Sequence, residues 1–459
     1  MEETKKITLV DEMIEKAKKA QLLFETFTQQ QVDDVVRAVA KVVFDNAETL
    51  ARMAVEETGM GNFDDKLKKK LGKSRIIWHS LKGKKSVGII DYNEDTGIAL
   101  VAKPMGVIGA VTPCTNPVVT PMCNVMFALK GRNSVIIAPH PRAKKCGKFV
   151  VDLFNKAIEK FGAPSDLIQI IEEPSIELTG ELMKKADVVV ATGGMGMVKS
   201  AYSSGKPAYG VGVGNVQVII DSDADIKDAV PKIVTGRAFD NGIICSAEQT
   251  VMIPEDMFDK AIAEFEKNGC FFVKDADDKK TLRETLFAGG VANKDVIGQD
   301  IATIASLAGI KIPKDTKVLV VETDGIGKAD LFCKEKMCPV LAVIKYKDFS
   351  QAVSFAQVNL DFEGKGHSVS IHSNNKQNIE YTADKLKVSR FLINQICATA
   401  NGGSFFNGLA ATTTLGCGSW GNNSISENLD YRHLINISRI AYYKKDALVP
   451  SDEELWGEV

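Results

Sequence analysis

Two short segments hold the side chains best suited to covalent chemistry. In Phe239-Asp240-Asn241-Gly242-Ile243-Ile244-Cys245-Ser246-Ala247-Glu248-Gln249, Cys245 follows an Asn-Gly pair and precedes a polar run. Read as a loop-to-helix transition, this places the thiol where neighbouring N–H groups acidify it, and the thiolate is the attacking form. A free cysteine is equally at home as a small buried apolar side chain. In Thr112-Pro113-Cys114-Thr115-Asn116-Pro117 the prolines stiffen the loop, and the Asn116 amide offers two N–H donors to a developing oxyanion. Capping of the next helix is the competing role for Asn116.

Three further segments suit phosphate groups. Ile136 to Lys145 runs from a strand through Pro139, His140 and Pro141 into a helix opening with Arg142, Lys144 and Lys145. Such a start offers free N–H groups and cations, or else a solvated basic face. Thr192, Gly193, Gly194 and Gly196 follow the apolar run Asp187 to Ala191, where backbone must approach a pyrophosphate closely or simply turn. Gly210, Gly212 and Gly214 precede another strand and imply that something packs against the backbone there.

These segments need a scaffold. The first ninety residues read as helices, with Val32, Val35, Val36, Val39, Val42 and Val43 forming one stripe and Asp11 capping the amphipathic run beside it. From residue 86 onward β-branched runs alternate with turns, and Asn93 to Gly97 reads as a hairpin loop. Strands at 133–139, 167–171 and 187–192 alternate with helices, the pattern of a parallel sheet covered on both faces. A second α/β series follows 230, and residues 433–443 return as a strand suited to pairing with an edge or another subunit.

Composition bounds the partners. With 459 residues the chain exceeds what one core holds, so two or three subdomains are expected. Lysine and arginine total 57 against 59 acids, which excludes a global field for nucleic acid or anionic lipid and favours a small-molecule partner. No apolar run is long enough for a membrane span, and the charged N-terminus lacks a signal-peptide core. Nine cysteines without a CxxC pair read as reduced thiols of a soluble, cytoplasmic protein, and Cys333 with Cys338 has no partners for a zinc site, so no metal is expected.

In their order, the segments at 112–117, 138–145, 191–198, 210–215, 239–249, 333–341, 364–373 (GKGHSVSIHS) and 414–437 (TLGCGSWGNNSISENLDYRHLINI) resemble the CoA-acylating branch of the aldehyde dehydrogenase superfamily, over about residues 5–445. Within the branch the chain is most similar to acylating succinate-semialdehyde dehydrogenases, and acetaldehyde and butyraldehyde enzymes share most of these motifs. The resemblance implies an aldehyde dehydrogenase-like α/β fold: a Rossmann-type cofactor domain at 1–230 with a β extension at 90–104, a catalytic domain at 231–425, and a C-terminal return at 426–459 whose strand joins the extension of a neighbouring subunit in a homodimer or homotetramer.

The same resemblance assigns roles. Cys245 is the nucleophile, Asn116 with the Cys245 N–H the oxyanion donors, and the reaction the reversible reduction of an acyl-CoA, best matched by succinyl-CoA, to its aldehyde with NAD or NADP. Glu335, flanked by Lys334 and Lys336, would hold the nicotinamide ribose; an exposed salt bridge is its alternative. Thr112, Pro113, Pro139, His140, Arg142, Thr192, Gly193, Gly194 and Gly212 are the remaining expected cofactor contacts. His367 would assist the CoA thiol or be structural. Arg237, Arg390, Ser246 and Ser404 are candidates for a distal substrate carboxylate. Where hydrolytic relatives carry an acid that activates water, Val211 to Asn215 has none, which favours a thiol as acceptor. Ala138 and Pro141 depart from the ribose-binding Lys and acid of those relatives, which tilts the expectation toward NADP. A phosphate- or water-dependent semialdehyde dehydrogenase and an inactive interaction protein on the same fold are the competing readings.

Overall fold

A computed structural model describes residues 7–457; the first six residues of the expected cofactor domain and the last two of the C-terminal return lie outside them. Four helices open the chain: α1 (Leu9–Phe24), α2 (Gln29–Asp45), α3 (Ala47–Thr58) and α4 (Phe63–Leu81). The cap of α1 is Thr8, not Asp11: the Thr8 hydroxyl accepts from the Asp11 N–H while the Asp11 carboxylate accepts from the Thr8 N–H, a reciprocal box. Val32, Val35, Val36, Val39 and Val43 of α2 are fully buried. They pack with α4, α5 (Val119–Lys130) and α6 (Lys144–Glu159) into the core beneath the first sheet.

β1 (Gly88–Asn93) and β2 (Ile98–Pro104) form the expected hairpin. β3 (Val107–Thr112), β4 (Ser134–Pro139), β5 (Ile168–Ile170), β6 (Val188–Thr192) and β7 (Ala208–Val211) build a parallel sheet in the order β5-β4-β3-β6-β7. Every residue of β3 and β4 is buried, as continuous apolar strands between two helical layers must be. The strand order reverses between β3 and β6, so their C-terminal ends, Thr112 and Thr192, border the crevice where ligands enter such sheets.

β8 (Val216–Ile220), β9 (Glu248–Pro254) and β10 (Cys270–Val273) belong to a second sheet. After a short hairpin of β11 (Phe287–Ala288) and β12 (Val291–Ala292) it is completed by β13 (Val318–Glu322), β14 (Val340–Tyr346), β15 (Gly366–His372) and β16 (Val388–Ile393). All seven strands run parallel, in the order β10-β13-β14-β9-β8-β15-β16. The changeover between sheets therefore falls at residues 212–215, ahead of the boundary expected at 230, because β8 pairs with β9 and β15 rather than with β7.

The C-terminal strand β17 (Ile435–Ala441) pairs antiparallel with β2 of the same chain, Ile435 opposite Pro104 and Ala441 opposite Ile98. This corrects the expectation that it pairs with the extension of a neighbouring subunit. The physical reason is Asn133, fully buried at the end of α5. Its side-chain N–H2 donates to the Ala128 and Leu434 carbonyls, and its oxygen accepts from the Met105 and Gly106 N–H groups. One amide thus fastens the entry to β17 beside the exit of β2. Replacing Asn133 with Leu leaves the Met105 and Gly106 N–H groups and the Leu434 carbonyl without the amide that binds them, while the Ala128 carbonyl keeps its backbone donors, and should cost about 3 kcal/mol or more. Urea unfolding followed by circular dichroism reads this; an unchanged midpoint would refute the role.

Candidate active site

The helix Ile226–Ala238 delivers the chain into a tight turn in which Asp240, Asn241 and Gly242 all take left-handed φ, 50°, 53° and 68°. Cys245 follows, and β9 begins three residues later. The cysteine therefore precedes a strand, and the helix N-terminus expected to acidify it is absent. Arg237 is fully buried and donates to the Glu248 carbonyl at 2.8 Å, the Gly242 carbonyl at 2.9 Å and the Cys338 carbonyl. Its three hydrogen bonds all go to backbone and its buried Nε–H has no partner, so Arg237 is a positioning residue and not the expected substrate contact. Arg390, similarly buried, donates to Ser368 Oγ, Asn428 Oδ1 and the His367 carbonyl.

The glycine run packs against the protein itself. A Cβ on Gly214 would lie 2.0 Å from the Cys245 carbonyl oxygen, one on Gly212 2.4 Å from Met195 Sδ, and one on Gly210 2.9 Å from Val198. The Gly214 N–H donates to Glu335 Oε1 at 3.2 Å. Asn215 Nδ2 donates to the carbonyls of Cys333, Asn359 and Glu363. Nucleophile loop and Glu335 segment are thereby held against one crossover between the sheets. Glu335 is not in an exposed salt bridge: Lys334 pairs with Glu363, and buried Lys336 donates to the Phe332 and Lys334 carbonyls.

Asn116 is held by a buried charge cluster that sequence reading did not include. Lys69 Nζ donates to Asn116 Oδ1 at 2.7 Å and to Asp240 Oδ2 at 2.5 Å, and Lys66 Nζ donates to the same Asp240 oxygen at 3.2 Å. The Asn116 side chain does not cap α5; its oxygen is taken, and no protein acceptor among the described residues takes its N–H2. That leaves two donors for an oxyanion.

Cys245 and Asn116 open onto one pocket of about 540 Å³, together with Lys69, Lys73, Ser246, Ser404 and Thr412. Its wall contains no aspartate, glutamate or histidine. Ser246 is nearly buried and spends its hydroxyl on the Ala398 carbonyl, so it does not offer the substrate donor expected of it; Ser404 lines the wall. His367, expected to be catalytic, is fully buried on β15 away from this wall, both ring nitrogens without a partner. Burial and Arg390 push its pKa down to about 3, so the ring is neutral.

Burial, then the Glu335 charge and Cys417, push the Cys245 thiol up to about 12, against the expected acidification; Arg390 opposes them. Burial and Glu363 push Glu335 up to about 8. At rest the nucleophile is a thiol.

On the cofactor side the residues suit a dinucleotide in part. Gly194 and Gly196 have open space where a Cβ would stand, Gly193 touches only Met197, and no side chain caps the helix Met195–Tyr202 that they open. Uncapped N–H groups beside Thr192, at the switch point bordered by Thr112 and Pro113, leave donors and space of the kind a pyrophosphate needs. The start of α6 is different. Glu57 accepts from the N–H groups of Lys145 and Cys146 at 2.8 and 2.7 Å, Arg142 donates to the Thr58 carbonyl, and Lys144 pairs with Glu173. His140 Nδ1 accepts from the Arg142 N–H beside Pro139. The N–H groups of the helix start expected to be free there are already satisfied internally.

Two outcomes follow from this geometry. Arg237→Lys cannot reach three carbonyls with a single ammonium and should lose about 3 kcal/mol of stability in denaturant titration. Its turnover should fall by one factor for charged and neutral aldehydes alike; a loss confined to the KM of charged aldehydes would restore the substrate role. Glu335→Gln removes a charge that raises the Cys245 pKa, so iodoacetamide alkylation of Cys245 above pH 8, where Glu335 is ionised, should accelerate up to about tenfold. An unchanged rate would show that the two groups do not interact.

Residues 3–289 and 320–433 match the aldehyde dehydrogenase family. The chain is 55% identical over 448 residues to "Succinate-semialdehyde dehydrogenase (acetylating)" of Clostridium kluyveri, covering 98% of this chain and 99% of that protein. It is 45% identical to "Sulfoacetaldehyde dehydrogenase" of an Acholeplasma species, covering 97% and 93%. The crystal structure of an acetylating aldehyde dehydrogenase from Geobacillus thermoglucosidasius superposes with a TM-score of 0.92 at 38% identity, over 96% of this chain and 98% of that one. With its two parallel sheets, its switch-point crevice and its cysteine loop, the chain belongs to the aldehyde dehydrogenase family.

Proposed function

We propose that this chain is a CoA-acylating aldehyde dehydrogenase that interconverts an acyl-CoA and its aldehyde through a thioester on Cys245, with NAD or NADP and CoA as co-substrates and succinate semialdehyde as the aldehyde. The observation that carries this reading is a pocket joining Cys245 to Asn116 whose wall has no carboxylate or imidazole. Both relatives cited act, by name, on aldehydes with a distal anion, and the first is called acetylating.

The chain's own groups divide the work. The Cys245 sulfur adds to the aldehyde carbon once its proton has passed to solvent in the pocket, and the oxyanion of the resulting hemithioacetal accepts from Asn116 Nδ2, held in place through Lys69. When bound, the nicotinamide coenzyme takes the hydride whose departure leaves an acyl group on sulfur. Glu335, half-buried with the Gly214 N–H on one carboxylate oxygen, is placed to accept from ribose hydroxyls. Water reaching the acyl-cysteine finds no carboxylate or imidazole on the pocket wall to deprotonate it, so the CoA thiol, which ionises far more readily than water, takes the acyl group.

The open edges of β1 and β17 in the three-stranded sheet, with Tyr92, Tyr442 and Tyr443 exposed beside them, support a homodimer or homotetramer. Nine free cysteines support a reducing, cytoplasmic setting, and among the described residues no helix is long and apolar enough to cross a membrane.

Product analysis by mass tests the reaction. With succinate semialdehyde, NAD(P) and CoA the protein should form succinyl-CoA, and Cys245→Ala should lower the rate by at least about 10⁴-fold. Succinate formed equally fast without CoA would overturn the acylating reading.

A further inference from the structure

Helix α4 turns Lys66, Lys69, Lys70 and Lys73 onto one face by steps of three and four. An inward-facing stripe is ordinarily apolar, but Lys66 and Lys70 are 2% and 3% exposed. Among the described residues Asp240 is the one carboxylate bonded to this stripe, through Lys66 and Lys69. Four lysines therefore share a single carboxylate, and burial pushes the Lys70 pKa down to about 7. Lys73 has none: its Nζ donates to the Gly402 carbonyl at 2.9 Å and lies 3.5 Å from the Thr412 carbonyl. An ammonium has three N–H donors, so one remains, and Lys73 lines the pocket that holds Cys245 and Asn116. Burial without a counter-ion pushes the Lys73 pKa down to about 8, and a ligand that supplies the opposite charge would hold the half-buried ammonium protonated.

We infer that Lys73 receives the distal anion of the substrate, so that the pocket is built for short aldehydes and acyl thioesters ending in a carboxylate or sulfonate. The inference rests on the Cys245 chemistry above. Lys69 marks the reacting end, because it bonds Asn116 directly. Lys73 stands one helical turn further along, about 6 Å up the axis. That span matches an extended aldehyde acid with one or two methylenes between its ends, the carbonyl at Asn116 and the anion at Lys73. Of the other two lysines on the pocket wall, Lys69 is occupied by Asp240 and Asn116, and Lys68 is paired with Asp65 at 3.2 Å.

The test compares succinate semialdehyde with butyraldehyde, its neutral analogue of equal length, by initial rates and by acyl-CoA formation. In the wild-type protein kcat/KM should favour the charged aldehyde by at least about tenfold. In Lys73→Met that ratio should collapse to within about threefold of unity, chiefly through KM, and Lys73→Arg should restore part of it. Equal kcat/KM for the two aldehydes in the wild-type protein, which needs no variant to fold, overturns the inference; so does a ratio that survives Lys73→Met. If both aldehydes give acyl-CoA with no charge preference, the anion assignment alone fails. If neither gives acyl-CoA, the acylating reading fails and the inference falls with it.

Discussion

Everything at the reacting centre depends on one buried guanidinium. Arg237 closes its helix, then reaches back to the Gly242 and Glu248 carbonyls, which bracket the nucleophile loop, and across to Cys338 beyond the Glu335 segment. A rigid fork with several donors can join three backbone strands where a single-point cation cannot. Burying the charge is unfavourable in itself, and the carbonyl dipoles that surround it are the compensation. The nucleophile is thus positioned by a cation it never touches.

A second constraint locks the loop to the first domain. Asp240 occupies a left-handed conformation that ordinary residues avoid, and its carboxylate accepts from Lys66, Lys69 and the Asn62 N–H. Gly61 lies so close that a Cβ there would stand 1.9 Å from Asp240 Oδ1. The turn between α3 and α4, Asn116 and the cysteine loop are consequently one unit. Strain in the turn persists because the charges around it leave no alternative placement.

Much of this was legible in the order of residues. Continuous apolar strands declared the parallel sheets, the family resemblance carried by the Cys245 and Asn116 segments, among others, implied the chemistry that either segment alone left open, and the missing acid at 211–215 has its counterpart in a wall without carboxylates. What escaped reading shares a physical cause. The segment Phe63 to Leu81 looks like a solvated helix, since lysines at helical spacing are usually exposed; only the tertiary partners Asp240, Asn116 and the 402 and 412 carbonyls reveal that its charged face points inward. Arg237 read as a substrate contact because a sequence does not show where donors are spent. The basic start of α6 read as a phosphate site because Glu57, 88 residues before Lys145 in the chain, supplies the competing carboxylate. β17 read as a strand for a neighbour because the Asn133 amide that turns it home is one polar residue among many.

The bare wall of the aldehyde pocket has an energetic meaning for the cell. Oxidising an aldehyde to a free acid dissipates the energy released, and the step then runs one way. A site that gives water no base keeps that energy in a sulfur ester, a currency other enzymes can draw on, and leaves the reaction near balance. Direction is then set by the supply of acyl donor and reduced coenzyme rather than by the protein. Reversibility here is a property of what the pocket omits.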